Sequence, residues 1–388
     1  MILKRLPFSA TLDQYGNQAE QLLAAHSTGD SESIRLFHQN HPRFLDPTIP
    51  WLSRNLPDSE IQKAALEIAD AQLTIARWYN FQSWGALVEY IEAVTTKHST
   101  TNHAAVFQFE SAVEAVINGD LLRLKALLSE DPDLVRARST RITNFEAPLH
   151  RATLLHYVAA NGVEGYRQQT PQNAVQIATA LLQAGADVDA LADFYGGQYA
   201  TMSLLVSSSP PAQAGLQIPL MNTLLDFGAA LEARGSEKWG SPLMTALAFG
   251  FLEAAEELVR RGARVDDIGA AAGLGLVAAA RQMLPTANGD LRHRALTLAA
   301  QNGHVEIVRL LLDAGEDPNR YNPEGNHAHT TPLHQAVFAG REAVVQLLVE
   351  RGARVDIKDT IYHSTPLGWA MYAGRTELER YLRTQGAK

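Results

Sequence analysis

The chain has 388 residues, 46% of them hydrophobic and 19% charged, with a net charge of −9 and no cysteine. That length exceeds one ordinary compact domain, and the missing cysteine excludes disulfides, thiolate metal ligands and cysteine nucleophiles. An acidic balance without a block of five like charges offers no broad basic face for nucleic acid.

MILKRLPFSATLDQY opens the sequence without an apolar signal-peptide core, and no apolar run nears the roughly 20 residues of a membrane span. A cytoplasmic protein without a membrane partner is expected. Residues 17–44 read as two helices split by Gly29-Asp30, and a proline-containing loop spans 45–58. Ser59 with Gln62 has the spacing of a capping box, predicting a helix with Ala65, Ile68, Ala69, Leu73 and Ala76 on one side. Trp78, Phe81 and Trp84 surround an expected helix break at Asn80, and the polar, threonine-rich 95–105 reads as a linker. Residues 1–100 thus form an N-terminal helical region, read as a cap over the exposed apolar edge of the chain beyond 106.

From 106 onward the chain repeats itself. TPLHQAVFAG (331–340) returns as TPLGWAMYAG (365–374), SPLMTALAFG (241–250) and TLLHYVAANG (153–162), with weaker copies at 201–210 and 294–303. A second motif accompanies most copies, ending on Gly185, Gly228, Gly262, Gly315, Gly352 and Gly386. The spacings 43, 34, 53, 37 and 34 fit a unit of about 33 residues, the 53 being two units of which one, 268–284, is shortened. About eight units result: 106–139, 153–191, 199–234, 241–267, 268–290, 293–320, 331–358 and 365–388.

Within a unit each residue has a physical reason. Thr331 is placed to cap a helix N-terminus and Pro332 to sit at its first position, where a missing donor costs nothing. Leu333, Ala336 and Val337 make an apolar stripe, and Gly340 ends the helix in the left-handed conformation. Val344, Leu347 and Leu348 repeat the stripe on a second helix. One such pair cannot bury its own stripe, so neighbours must stack. Glu377, Glu379, Arg380 and Arg383 give the last unit the polar outer face that a terminal unit needs. Three insertions interrupt the pattern, at 163–173, 208–216 and 321–330. In a stacked array insertions fall on loops, often on the binding side.

TPLHQA at 331–336 resembles the ankyrin repeat, matching that family's T-P-L-H-x-A signature at every position; Ala339-Gly340 and the trailing Val-Asp match as well. The resemblance covers roughly 106–388, and the segment 71–94 is similar to helical segments that precede such repeats in many bacterial proteins. It implies an all-α solenoid of antiparallel helix pairs with projecting fingers, whose concave face binds another protein. In that family the motif histidine ties Thr and backbone groups between repeats. His334 and His156 match it, whereas Gly368, Met244 and Thr297 depart, which predicts looser junctions there.

Carried over by position, the concave face takes Tyr195 and Tyr199 from one finger, Lys238 and Trp239 from the next, and Phe249 just before Gly250. Gln301 and Asn302 precede Gly303. Tyr321, His327 and His329 lie in the long finger, with Phe338 shortly before Gly340. Tyr362 and His363, then Trp369 and Tyr372, complete the line. Tyrosine and tryptophan are enriched among residues that carry binding energy; packing against neighbouring fingers is the plainer alternative.

Little points to chemistry. His327 and His329 with His334 give H-x-H-x4-H, and imidazoles on an extended finger could bind a divalent metal, but His334 is explained by the repeat. His38 and His41 stand near a helix end, where histidine is ordinary. GAAAGLG (269–275) is preceded by no strand and lacks G-K-[ST], so it reads as tight helix packing. No hydrolase, metalloprotease or kinase motif occurs. The expectation is a monomeric, non-catalytic protein-binding module without cofactor or metal. The alternative is a small-molecule or peptide sensor, with a pocket near Trp78, Trp84 and Tyr157.

Overall fold

A computed structural model describes residues 3–8, 10–95, 101–144, 148–233 and 239–387. Among the described residues the fold is mainly helical, with one two-stranded hairpin, Leu191–Phe194 against Gly197–Ala200. The chain divides into two compact units, Met1–Leu204 with Pro210–Leu216 and Leu205–Ser209 with Gln217–Lys388.

The first unit begins with helices Leu12–Ser27 and Ser31–Asn40. Gly29 between them is left-handed (φ 77°), and the Asp30 carboxylate accepts from the Ser33 N–H at 3.0 Å to start the second helix. The predicted helix from Ser59 is in fact two, Asp58–Gln62 and Ile68–Trp78. Glu67 and Asp70 form a capping box that starts the second afresh. Ala65, Ile68 and Ala69 face solvent, and Ala71, Thr74 and Ile75 make the buried stripe. Asn80 breaks the helix as expected, with φ 62°. Helix Trp84–Thr95 comes next, and the expected linker is already helical from Thr101, where Thr101–Asn118 begins.

Tyr15, Leu22, Phe37, Ile75, Tyr79, Phe81, Leu87 and Ile91 form one core here. Phe107 of the first repeat and Tyr166 of the first insertion pack against it. Thr101–Asn118 pairs with Leu121–Glu130, and Leu154–Val158 with Ala174–Gln183. The insertion between the latter two turns inward rather than into solvent: Val163, Glu164 and Arg167 are all buried.

The second unit repeats helix pairs: Pro242–Ala248 with Leu252–Arg260, Ile268–Gly273 with Val277–Met283, Gly289–Asn302 with Val305–Asp313, Pro332–Phe338 with Glu342–Glu350, and Pro366–Tyr372 with Thr376–Thr384. The shortened repeat is therefore real. Its small residues allow close approach: a Cβ on Gly273 would stand 2.9 Å from the Leu247 side chain. One core runs from Ile268 through Leu296, Leu311, Val337 and Leu348 to Leu382.

The motif histidine behaves as the resemblance implies. His334 Nδ1 accepts from the Thr331 N–H (3.3 Å) and lies 2.9 Å from its hydroxyl, so Nε2 carries the proton and donates to the Ser364 carbonyl of the next repeat at 3.2 Å. His156 repeats the arrangement with Thr153 and the Tyr199 carbonyl. The junction at Thr297 is not left loose: its hydroxyl donates to Asn322 Oδ1 of the next finger at 2.9 Å.

A second tie has no counterpart in the sequence pattern. In the last three repeats the residue before the second helix reaches back to the end of the preceding repeat's first helix. His304 meets the Gly273 carbonyl (2.9 Å), Arg341 donates to Gln301 (3.0 Å), and Arg375 donates twice to Phe338 (3.1 Å each). Each side chain lies over a left-handed glycine, Gly275, Gly303 or Gly340, where a Cβ would come within 2.7, 3.1 or 3.2 Å of it. These carbonyls are orphans of helix ends, so one side chain both satisfies them and joins two repeats.

Candidate functional site: a row of aromatic and histidine rings

The long finger 321–330 is fixed by a buried polar network. Asn322 donates from its amide to the Thr330 hydroxyl (2.9 Å) and from its backbone to the Thr330 carbonyl (2.8 Å). Gln335 donates to the same hydroxyl at 2.8 Å. His327, left-handed at φ 54°, is thereby aimed back across the shortened repeat. Its Nε2 meets the Ala248 carbonyl at 2.8 Å, so it carries the proton.

From this anchor the rings line up. His327 sits between Trp239 (centroids 4.9 Å apart) and Phe249 (5.3 Å). His329 is 6.2 Å further, and itself touches Tyr362 and Trp369 at 6.0 Å each. Trp369 continues to Phe338 at 5.6 Å. Its indole N–H donates to Asp359 at 3.0 Å, and that carboxylate also caps the finger turn through the N–H groups of Ile361, Tyr362 and Ser364. Desolvation pushes His327 down to about 4, so its ring is neutral at physiological pH. The row is therefore a half-apolar strip with a neutral imidazole at its anchor. Phe338 and Tyr362, both 43% exposed, form its open edge.

The other expected contacts fall elsewhere. Tyr372 is 87% exposed, and Met371 beside it, which the aromatic pattern does not mark, is 56% exposed. Tyr321 is exposed and donates to the Lys358 carbonyl at 2.7 Å; His363 is exposed at a left-handed turn. Three expected contacts need correction. Gln301 and Asn302 are buried and donate to the Ala248 (2.7 Å) and Leu247 (3.1 Å) carbonyls, so they hold the repeats and cannot reach a partner. Tyr199 is buried within the hairpin at 2% exposure. Tyr195, on the same hairpin in the first unit, is exposed, its hydroxyl donating to Asn161 Oδ1 at 2.7 Å. Lys238 lies outside the described residues.

Among the described residues no three His, Cys, Asp or Glu side chains converge as a metal site, and no helix is long and apolar enough to cross a membrane. Around the expected sensor pocket, Tyr157 is buried, and Trp78 lines a cleft of about 90 Å³ with Leu3 and Leu36.

Comparison with known proteins fits this architecture. A family model described as Ankyrin repeats (3 copies) matches residues 212–322 and 268–359. An Arabidopsis thaliana E3 ubiquitin-protein ligase KEG is 42% identical over 77 residues, 19% of this chain and 4% of that protein. A putative ankyrin repeat-containing protein of Treponema pallidum is 30% identical over 145 residues, 37% of this chain and 40% of that one. The chain thus spans well under half the length of either relative. The human ASB11 ankyrin repeat domain aligns over 70% of this chain and 96% of its own, at 22% identity and a TM-score of 0.36. The matched segments, the T-P-L-H-x-A capping geometry and the stacked helix pairs support an ankyrin-repeat protein, with the family's repeats recognised over residues 212–359.

Proposed function

We propose that the protein is a non-catalytic binding module that grips another protein through its concave finger and first-helix face. Repeats of this family generally mediate protein–protein interaction. The carrying observation is the ring row, which draws side chains from non-adjacent repeats into one strip. Packing and hydrogen bonds hold those side chains before any partner arrives, so little side-chain entropy is lost on binding. Tyr362, Phe338 and Tyr372 supply exposed aromatic area of the kind that dominates interface energetics. In this reading the protein is a monomer, acts on protein rather than nucleic acid, and uses residues 1–100 as a cap on an array at 106–388.

The test is affinity capture with the wild type beside a Tyr362→Ala/Tyr372→Ala variant. Both positions are exposed, so the melting temperature should hold within a few degrees. Partners recovered by the wild type should be lost by the variant, and equal recovery would remove this face from consideration.

A further inference from the structure

Residues 3–8 form no helix or strand, yet they are held in place by side chains of the first unit. Gln18 donates to the Lys4 carbonyl at 2.6 Å and Tyr15 to the Pro7 carbonyl at 3.0 Å; the Tyr79 hydroxyl accepts from the Leu6 N–H. Three side chains thus read the backbone of an extended segment. Two of its side chains are read as well. The Arg5 guanidinium lies 4.7 Å from the ring centres of both Trp78 and Tyr166 and donates to the Trp78 carbonyl at 3.1 Å. Phe8 enters a socket between Arg141 (4.6 Å) and Arg167 (4.7 Å), edged by Phe81, Tyr90 and Tyr166.

The charged walls of the socket have hydrogen-bond partners outside the segment that fills it. Arg141 is held by Tyr166 Oη (2.6 Å) and Glu164 (3.3 Å), and Arg167 by Glu110. These come from the repeats and the first insertion. The Phe8 end also opens onto a groove of about 310 Å³ lined by Pro7, Val94, Phe107, Glu110 and Glu114. Backbone hydrogen bonds supplied by side chains, one cation subsite and one aromatic subsite three residues later are how a groove recognises an extended peptide.

We propose that this groove is a peptide-binding site, occupied in cis by residues 4–8. Its partner would be an extended segment of another protein that carries arginine or lysine three positions before phenylalanine or tyrosine. The basic position of the segment is set by the ring pair Trp78 and Tyr166 and by the Trp78 carbonyl that Arg5 now uses. The tethered occupant acts at an effective concentration in the millimolar range, so a partner's segment enters only by displacing it.

The experiment uses the full chain and a labelled synthetic peptide of residues 3–10, followed by fluorescence anisotropy. Phe8→Ala empties the aromatic subsite, and Arg5→Ala empties the cation subsite and so weakens the hold on the whole segment, Phe8 included. Each variant should bind the probe about tenfold or more tightly than the wild type. A probe with alanine in place of phenylalanine should not bind. If Phe8→Ala is too unstable to purify, Arg5→Ala decides alone. A folded variant that binds no better than the wild type, or equal binding of both probes, overturns the proposal. Dimerisation of the wild type at high concentration would assign the groove to a second copy and overturn it too.

Discussion

The two units bury polar groups in opposite ways. In the repeats between 322 and 375 most interior polar ties are neutral, His334 with Thr331, Asn322 with Thr330 and Gln335 with Thr330, and the buried carboxylate of Asp359 is held by N–H groups rather than by a cation. In the first unit, Arg141, Arg167, Glu164 and Glu110 are charged groups with almost no exposure. Burial alone would raise the Glu164 pKa. Arg141 and Arg167, with His150 at 3.4 Å, outweigh it and hold the carboxyl well below its usual range. Burial likewise opposes the charge on Arg141, and Tyr166 and Glu164 more than restore it. Desolvating such ions costs about what their attraction returns, so the cluster adds little net stability while fixing geometry strictly. Neutral ties suit a unit that is copied many times. The charged cluster stands where an insertion, a finger and the N-terminal helices meet and no repeat rule applies.

Breaking one member of each set separates the two designs. The largest effect belongs to Glu164→Gln, which leaves Arg141 and Arg167 facing a neutral amide inside the protein. A loss of about 3–5 kcal/mol is expected, read from urea unfolding. A loss below about 1 kcal/mol would mean that water reaches the cluster. Because the carboxyl pKa is depressed in the fold, this contribution is complete above the ordinary value of 4.5 and is lost as pH falls below it.

The neutral ties fail at a higher pH. Burial pushes His156 and His334 down to about 4, from an ordinary 6.5. Between those values the unfolded chain takes up protons that the fold refuses. Stability is therefore full above pH 6.5 and falls as pH drops toward 4, by at most about 3 kcal/mol for each histidine. His334→Gln should lessen that slope for the second unit, where the buried His327 keeps a share of it, and leave the pH response of the first unchanged, as followed by hydrogen exchange. An unaltered slope would place the lost protons elsewhere.

The same contrast decides what is legible in the sequence. The helix pairs, the shortened repeat and the histidine caps are legible because each rests on a local pattern: Thr-Pro-x-His, an i, i+3, i+4 stripe, a left-handed glycine. The ring row is legible only in part. Finger position places Trp239, His327 and Trp369, but the sequence does not say that His327 reaches across to Ala248, a contact 79 residues away. Position misplaces Gln301 and Asn302 for the same reason, since the carbonyls they satisfy belong to a helix two repeats earlier. The cluster at Arg141 and Arg167 has no periodic signature. Arginine outside a helical stripe reads as solvent-facing until an inward-turning insertion encloses it.

The smallest predicted effect tests the ladder of backward-reaching side chains. Arg375 donates two hydrogen bonds to the Phe338 carbonyl and covers Gly340, yet it is itself exposed. Arg375→Ala should cost about 1 kcal/mol, since one helix-end carbonyl then turns to water instead. Stability in a stacked array is a sum of repeats and their interfaces, so the loss should remain at one interface. Hydrogen exchange should quicken in Pro366–Tyr372 and Thr376–Thr384 while Pro332–Phe338 keeps its protection. Arg375→Lys should recover only part of the loss, because an ammonium cannot give two parallel bonds and lie flat on a glycine. Full recovery by lysine would mean that charge near the helix end, rather than the paired N–H geometry, joins the last two repeats.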